Sequence, residues 1–219
     1  MHDMLNTTLK NESLKVAIAP TIFCIDDDAA LCESVQFLLE SVHLRVETFL
    51  SAQDFLKNYD VARPGCLLLD VRMPDTNGLE LQEQLRKRNI TLPIIFITGH
   101  GDVPMATKAM KAGAFEFLTK PFHDQTLLDS IQQAIEIDAE RRKVLQQRIH
   151  IAKRIAKLTP REREVMGCVI KGNLNKETAA ELDISPKTVE LHRAQVMKKM
   201  RANSLAELVG MVLAAEENR

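Results

Sequence analysis

Asp26, Asp27, Asp70, Thr98 and Lys120 are the residues whose types and spacing point to chemistry. Each follows or closes a short apolar run: TIFCI ends in Asp26-Asp27-Asp28, Cys66 to Leu69 ends in Asp70, and PIIFIT, Pro93 to Thr98, ends in a hydroxyl. The run Ala114 to Leu118 is followed, one turn on, by Lys120-Pro121. A brief apolar run that stops abruptly at a polar residue suits a strand buried on both faces of a parallel sheet. In open α/β sheets the carboxyl ends of the strands form the edge where ligands bind, so three carboxylates, a hydroxyl and an ammonium converge there. Three clustered carboxylates repel one another, and a hard divalent cation with oxygen ligands relieves this, Mg²⁺ being the usual choice where phosphate is handled. Asp70 would then attack phosphorus, with Lys120 holding a second phosphoryl oxygen and Thr98 a third.

Taken singly, each residue has an ordinary alternative. Asp28 immediately precedes a helix and suits an N-cap. Asp70 would serve to cap the next loop, Lys120 to pair with a surface carboxylate, and Thr98 to fill a strand position. Their joint placement at matched strand ends favours phosphoryl acceptance. An aspartyl-phosphate enzyme of the haloacid-dehalogenase type would want a second carboxylate two residues after the nucleophile. Arg72 stands there instead, so the chain is read as not an enzyme.

The elements that must position these residues alternate regularly. Leu31, Val35, Leu38 and Leu39 fall at helical spacing after the first strand. Arg45 to Phe49 reads as a second strand and Ser51 to Tyr59 as a helix. The third strand, Cys66 to Asp70, is followed by a helix over Leu79 to Arg88. The fourth is Pro93 to Thr98, with a helix from Pro104 to Ala112, and the fifth is Ala114 to Leu118, with a last helix after Pro121. Such alternation predicts a doubly wound α/β domain with a five-stranded parallel sheet.

Composition is compatible with two domains and real cores: 219 residues, 45% of them hydrophobic. The absence of Trp and a single Tyr argue against a large aromatic platform, and a net charge of −1 excludes a uniformly basic coat. Cys24, Cys32, Cys66 and Cys168 show no metal-like spacing and read as reduced, buried thiols. No apolar run reaches membrane-spanning length and the polar start is not a signal peptide, so a cytoplasmic protein without a membrane partner is expected. Residues 1–19 read as a loosely ordered leader, in which Leu14 to Ala19 would add a short strand or dock on the domain.

Ile25-Asp26-Asp27-Asp28, Leu69-Asp70-Val71-Arg72-Met73-Pro74, Asn77-Gly78, Ile97-Thr98-Gly99-His100-Gly101-Asp102 and Lys120-Pro121-Phe122 together resemble the receiver domains of two-component response regulators. The segments from Thr98 to Ala106 and from Met110 to Ala114 look like the FixJ-type members. The resemblance implies a flavodoxin-like receiver over 20–138, phosphorylated on Asp70 by a sensor histidine kinase. It further implies Mg²⁺ held by Asp26, Asp27, Asp70 and the backbone carbonyl of Arg72, and a cis peptide before Pro121. A switch is also implied, in which the Thr98 hydroxyl is drawn to the phosphoryl group and Phe117 turns inward, followed by homodimerisation. Phe stands at 117 where a Tyr would bring a hydroxyl, and plain core packing is its alternative.

From Asp124 to Leu158 the sequence is helical with almost no breakers. Leu128, Ile131, Ile135, Asp138, Arg142, Leu145, Ile149, Ala152 and Ala156 step by three and four residues, the coiled-coil spacing, but Asp138 and Arg142 interrupt the seam. Residues 139–157 are therefore expected to form a helical linker, with a permanent coiled-coil dimer as the alternative. Thr159-Pro160 with Glu162 opens a helix ended by Gly172-Asn173; a short helix runs from Asn175 to Leu182; Ser185-Pro186 caps a third to Met200; a fourth runs through Ala214. These are the proportions of a helix-turn-helix unit within a small all-α four-helix domain, 158–219. From Lys157 to Arg201 basic residues outnumber acidic ones, as binding to a phosphate backbone needs. A generic four-helix interaction domain fits the pattern as well.

In the third helix Val189, His192, Val196 and Met200 are expected to face the core, leaving Lys187, Glu190, Leu191, Ala194, Gln195 and Lys198 outward. His192 is read as packed or facing phosphate, since no second metal ligand is near. Thr159-Pro160-Arg161-Glu162, Asn175-Lys176, Thr188-Val189-Glu190 and His192-Arg193 resemble the LuxR-type DNA-binding domain. That resemblance implies double-stranded promoter DNA as partner. Asn175, Lys176 and Arg193 would meet phosphates while Glu190, Leu191, Ala194 and Gln195 read bases; Lys187, Thr188 and Lys198 complete the expected DNA face. Activation of transcription through RNA polymerase is the expected output.

Overall fold

The computed structural model describes residues 18–74, 76–99 and 103–216. The leader up to residue 17, and with it most of the strand expected near Leu14 to Ala19, lies outside the described residues, as do His100, Gly101 and Asp102 of the FixJ-like segment. The chain divides into two compact units, one ending at Arg141 and the other beginning at Arg142.

The first unit is built on five parallel strands: β1 (Thr21–Ile25), β2 (Arg45–Phe49), β3 (Gly65–Leu69), β4 (Ile94–Thr98) and β5 (Glu116–Thr119), in the order β2-β1-β3-β4-β5. The chain thus runs outward from β1 to β2, returns to β3, and continues the other way. This reversal leaves β1 and β3 as neighbours at the sheet's switch point, where ligand crevices form. Their period-two alternation divides the core into two layers. Phe23, Ile25, Leu67, Leu69 and Phe96 face the helices α2 (Ala52–Asn58), α3 (Gly78–Lys87) and α4 (Val103–Lys111). Ile22, Cys24, Leu68, Ile95 and Ile97 face α1 (Ala29–Ser41) and the first half of α5 (Asp124–Ala156).

Local chemistry sets the helix starts. Asp28 caps α1, accepting from the Ala30 and Leu31 N–H groups, which makes its role structural. Ser51 caps α2 and Asn77 caps α3. The third strand lies one residue earlier than expected, so Asp70 is the first residue beyond it. All four cysteines are buried and unbridged.

The seam read along α5 is not one packing face. Asp138, the residue that interrupts it, is buried in the first unit, where its Oδ2 accepts the Gly65 N–H at 2.9 Å. Gly65 is required there: its φ is +145°, and a Cβ would fall 1.8 Å from the Thr21 carbonyl oxygen. Leu145 and Ile149 are exposed, whereas Ile151 and Ile155 pack on the second unit's core. The apolar positions along α5 thus serve different neighbours, the early ones packing within the first unit and Ile151 and Ile155 within the second.

The second unit contains the end of α5 and four further helices: α6 (Pro160–Ile170), α7 (Asn175–Leu182), α8 (Pro186–Met200) and α9 (Leu205–Glu216). Leu158, Val165, Val169, Ala179, Val189, Val196, Met200, Leu208 and Val212 form its core. Asp183, in the left-handed conformation at φ 52°, makes the tight turn between α7 and α8. Thr178 is fully buried, and among the described residues its hydroxyl has no hydrogen-bond partner. Val has nearly the same shape without that desolvated group, so Thr178→Val is expected to raise stability by about 1 kcal/mol. A urea melt of the two proteins decides this; a clear loss in the variant would show that the hydroxyl is bonded in solution.

Candidate phosphoryl-acceptor pocket and nucleic-acid face

Strand register assembles the acidic pocket. Ile25 pairs with Leu69, so Asp26 and Asp70 emerge side by side at the carboxyl edge. Leu69 pairs with Phe96 and Thr98 with Thr119, bringing Thr98 and Lys120 to the same edge. The Asp70 N–H donates to the Ile25 carbonyl at 2.9 Å, and the Lys120 N–H to the Thr98 carbonyl at 2.8 Å, which ties the loops together. The Lys120-Pro121 peptide is cis.

Asp26, Asp70 and Thr98 are all buried. Lys120 Nζ lies 2.7 Å from Asp26 Oδ2 and 3.2 Å from Asp70 Oδ1, bridging the two carboxylates. Their other oxygens accept backbone groups: Asp26 Oδ1 takes the Asp28 N–H at 2.9 Å and Asp70 Oδ2 the Arg72 N–H at 2.5 Å. Burial raises the Asp26 pKa above the ordinary carboxylate value; Lys120 and the Asp28 N–H offset this in part, and the Asp70 charge adds to it. Burial alone would lower the Lys120 pKa, but its bonds to Asp26 and Asp70 outweigh that and hold the ammonium above its usual value. The nucleophile candidate is thus a fixed carboxylate beside a permanent cation.

Asp27 differs from Asp26 and Asp70 in its exposure. It is exposed, and among the described residues no three acidic, His or Cys side chains close into a metal-holding group. The expected donors, three carboxylates of which two are buried and a backbone carbonyl, are hard oxygens. That set fits Mg²⁺, which retains several waters and needs few protein ligands.

Asn77-Gly78 is among the motifs that resemble receiver domains, without a role of its own in the sequence. In the structure a Cβ there would fall 2.3 Å from the Asp70 carbonyl oxygen, so Gly78 is what lets α3 approach the pocket. Its N–H donates to the Val71 carbonyl at 2.9 Å. Phe117 is half-buried, its ring centroid 6.0 Å from that of Phe96, and it packs in the layer that holds Met105 and Ala109.

In the second unit, Lys187, Glu190, Leu191, Ala194, Gln195 and Lys198 all lie exposed on α8, and Leu191 is 62% exposed. Ser185, Lys187, Thr188, Glu190, Leu191 and Ala194 line a shallow depression of about 540 Å³. Thr188 itself is half-buried, its hydroxyl 2.8 Å from Ser185 Oγ in the helix cap. Arg193 Nη1 donates to Asn175 Oδ1 at 3.0 Å, clasping α8 to the start of α7, where Lys176 is exposed. Val189, Val196 and Met200 are buried as expected, but His192 is only half-buried.

Not every basic residue faces outward. Lys199 Nζ sits 2.7 Å from both Glu162 oxygens, and Glu162 also accepts the Thr159 N–H at 2.7 Å, so one buried carboxylate joins α6 to α8. The helix start at Thr159-Pro160 with Glu162 was legible, and the structure adds a capping box there, but the ion pair, 37 residues apart, had no local signal. Lys199 first, then the Thr159 N–H, hold the Glu162 pKa below the ordinary carboxylate value. A lowered folded-state pKa gives stability that is complete above the unfolded value and lost as pH falls through the folded one. Wild-type hydrogen-exchange protection of α6 and α8 should therefore decline as pH drops below about 4.5, and Glu162→Gln should start lower and flatten that decline. An equally steep decline in the variant would assign the effect to other groups.

Among the described residues no helix is long and apolar enough to cross a membrane. The family model for the response regulator receiver domain matches residues 22–132, and that for the bacterial regulatory proteins of the luxR family matches residues 156–212. The response regulator protein TodT of Pseudomonas putida is 44% identical over 191 residues, spanning 87% of this chain and 84% of that protein. The transcriptional regulatory protein FixJ of Bradyrhizobium diazoefficiens is 48% identical over 197 residues, 89% and 95% of the two chains. Among solved structures, the response regulator StyR aligns with a TM-score of 0.81 at 46% identity, covering 89% of this chain and 98% of its own. Full-length FixJ from B. japonicum aligns with a TM-score of 0.54 at 46% identity, covering 90% and 97%. These matches run along nearly the whole length of the relatives, and the chain belongs to the response regulators that join a receiver domain to a LuxR-type DNA-binding domain.

Proposed function

We propose that a sensor histidine kinase phosphorylates this regulator on Asp70 and that the phosphorylated chain forms a homodimer that binds promoter DNA and activates transcription in the cytoplasm through RNA polymerase. The observation that carries the reading is the buried Asp70 carboxylate held between Lys120 and the Arg72 N–H. Those two contacts, one on each carboxylate oxygen, fix the orientation of the Asp70 carboxylate for in-line attack on phosphorus, as the bond to the donor's nitrogen breaks. Asp26, Asp27, Asp70 and the Arg72 carbonyl would hold Mg²⁺, which supplies neutralisation of charge on the phosphoryl oxygens. Lys120 shares that task, and the Thr98 hydroxyl donates to a third oxygen.

A phosphoryl group on Asp70 adds negative charge and acceptor oxygens, which draws the Thr98 hydroxyl toward the pocket. Phe117 and α4 follow, and the face they share becomes the dimer contact. The boundaries assigned on this reading are a receiver over 20–138, a helical linker over 139–157 and the DNA-binding domain over 158–219. On α8, Lys187, Lys198 and Arg193, with Asn175 and Lys176, meet the phosphate backbone. Glu190, Leu191, Ala194 and Gln195 enter the major groove, with Thr188 fixing the helix start.

The test is sedimentation and DNA affinity of the full chain, with and without beryllofluoride and Mg²⁺, at one salt concentration. Beryllofluoride stands in for the phosphoryl group. Dimerisation with tighter DNA binding is expected. A chain that binds DNA equally well in every condition would instead use its receiver as a scaffold.

A further inference from the structure

α4 is held to the receiver by little. Ala109 is its one buried residue, while Val103 is 80% exposed and Met110 is 42% exposed. Against this thin packing stands one directed bond. Gln82, on α3 and 4% exposed, donates from Nε2 to the Ala109 carbonyl at 3.1 Å. The same carbonyl accepts the Ala114 N–H at 3.1 Å, the bond that closes α4 before the chain enters β5. The Gln82 amide thus reaches the end of α4 from which the path to Phe117 begins.

The amide is only half satisfied: among the described residues, Gln82 Oε1 is buried without a hydrogen-bond donor. Leu or Met would fill the same volume without that desolvated acceptor. What Gln adds over either is the tie to α4. The tie occurs together with an Asp70 side chain whose Oδ1 is bonded to Lys120 and whose Oδ2 accepts the Arg72 N–H, contacts that a phosphoryl group would have to rearrange.

We infer that Gln82 is a positioning residue of the phosphorylation switch: its bond to the Ala109 carbonyl holds α4 against α3 and sets how much ligand at Asp70 is needed to move it. The inference rests on the reading that α4 and β5 rearrange when Asp70 is modified. The bond is lost or strained when α4 shifts, so it biases the two-state equilibrium toward the unmodified arrangement. Gln82 touches neither the acceptor carboxylate nor its partners, so it acts on the equilibrium and leaves the pocket chemistry alone.

The experiment compares full-length wild type, Gln82→Leu and Gln82→Met at fixed Mg²⁺. It measures the beryllofluoride concentration giving half-maximal dimerisation, the hydrolysis rate of the Asp70 acyl phosphate, and hydrogen exchange of the α4 amides. In both variants the midpoint should fall about five-fold, the weight of one ordinary buried hydrogen bond, with unchanged hydrolysis and faster exchange at the end of α4. A role confined to stability would lower the melting temperature and leave the midpoint in place, which overturns the inference. So does a raised midpoint, or a hydrolysis rate that changes with it. If one variant does not fold, the other carries the same comparison. A wild type that ignores beryllofluoride overturns the underlying switch itself, an outcome visible before any variant is compared.

Discussion

Asp70→Asn is expected to take up no phosphoryl group from acetyl phosphate and Mg²⁺, while the wild type should take up about one per chain. An amide oxygen lacks the negative charge that attacks phosphorus, and no second acid stands at Arg72 to substitute for it. Beryllofluoride should then produce neither dimer nor tighter DNA binding in the variant. The same substitution is not expected to harm the fold. Asp26 and Asp70 are like charges bridged by one ammonium, and burial with the Asp70 charge raises the Asp26 pKa. Replacing one carboxylate by a neutral isostere relieves that repulsion, so the melting temperature should hold or rise. Loss of function with retained or increased stability separates removed chemistry from a broken domain. Labelling of the variant at a neighbouring acid would move the acceptor elsewhere and sink the assignment. Gly78→Ala makes the contrast: its Cβ would meet the Asp70 carbonyl at 2.3 Å, so both labelling and stability should fall together.

Arg193→Ala weakens DNA binding about ten-fold or more at physiological salt, by a similar factor on every sequence. Arg193 is half-buried and clasped to Asn175, so its guanidinium is already oriented and little rotamer freedom is lost on meeting a phosphate. Removing one such contact should reduce the slope of log affinity against log salt by about one. Truncation of the exposed face behaves differently. Leu191→Ala and Gln195→Ala should relax preference at single base pairs by about 1–3 kcal/mol each, with the salt slope unchanged. Competition between a selected site and random DNA over a salt series reads both quantities. A sequence-selective loss at Arg193 would make it a base reader and reverse the division drawn across α8.

Both results depend on residues that local pattern already singled out. Asp28, Ser51, Asn77, Thr159 and Ser185 cap helices within three residues of their partners. Such contacts are short in sequence, and residue type alone signals them. The pocket was legible for a related reason. An apolar strand that ends in a polar residue delivers that residue to the sheet edge, whichever strand lies beside it.

Because periodicity and capping act over a few residues, the reacting groups, the strands and helices that carry them and the family they resemble are all legible along the chain. Which groups meet depends on packing. It turned Asp27 outward, committed Lys199 to Glu162, joined Arg193 to Asn175, and set Asp138 on the Gly65 N–H across 73 residues of chain. It also placed the Gln82 amide on the Ala109 carbonyl. Hydrogen bonds between buried polar groups require a partner at about 3 Å, and which partner arrives at that distance depends on the packing of whole elements rather than on any spacing along the chain.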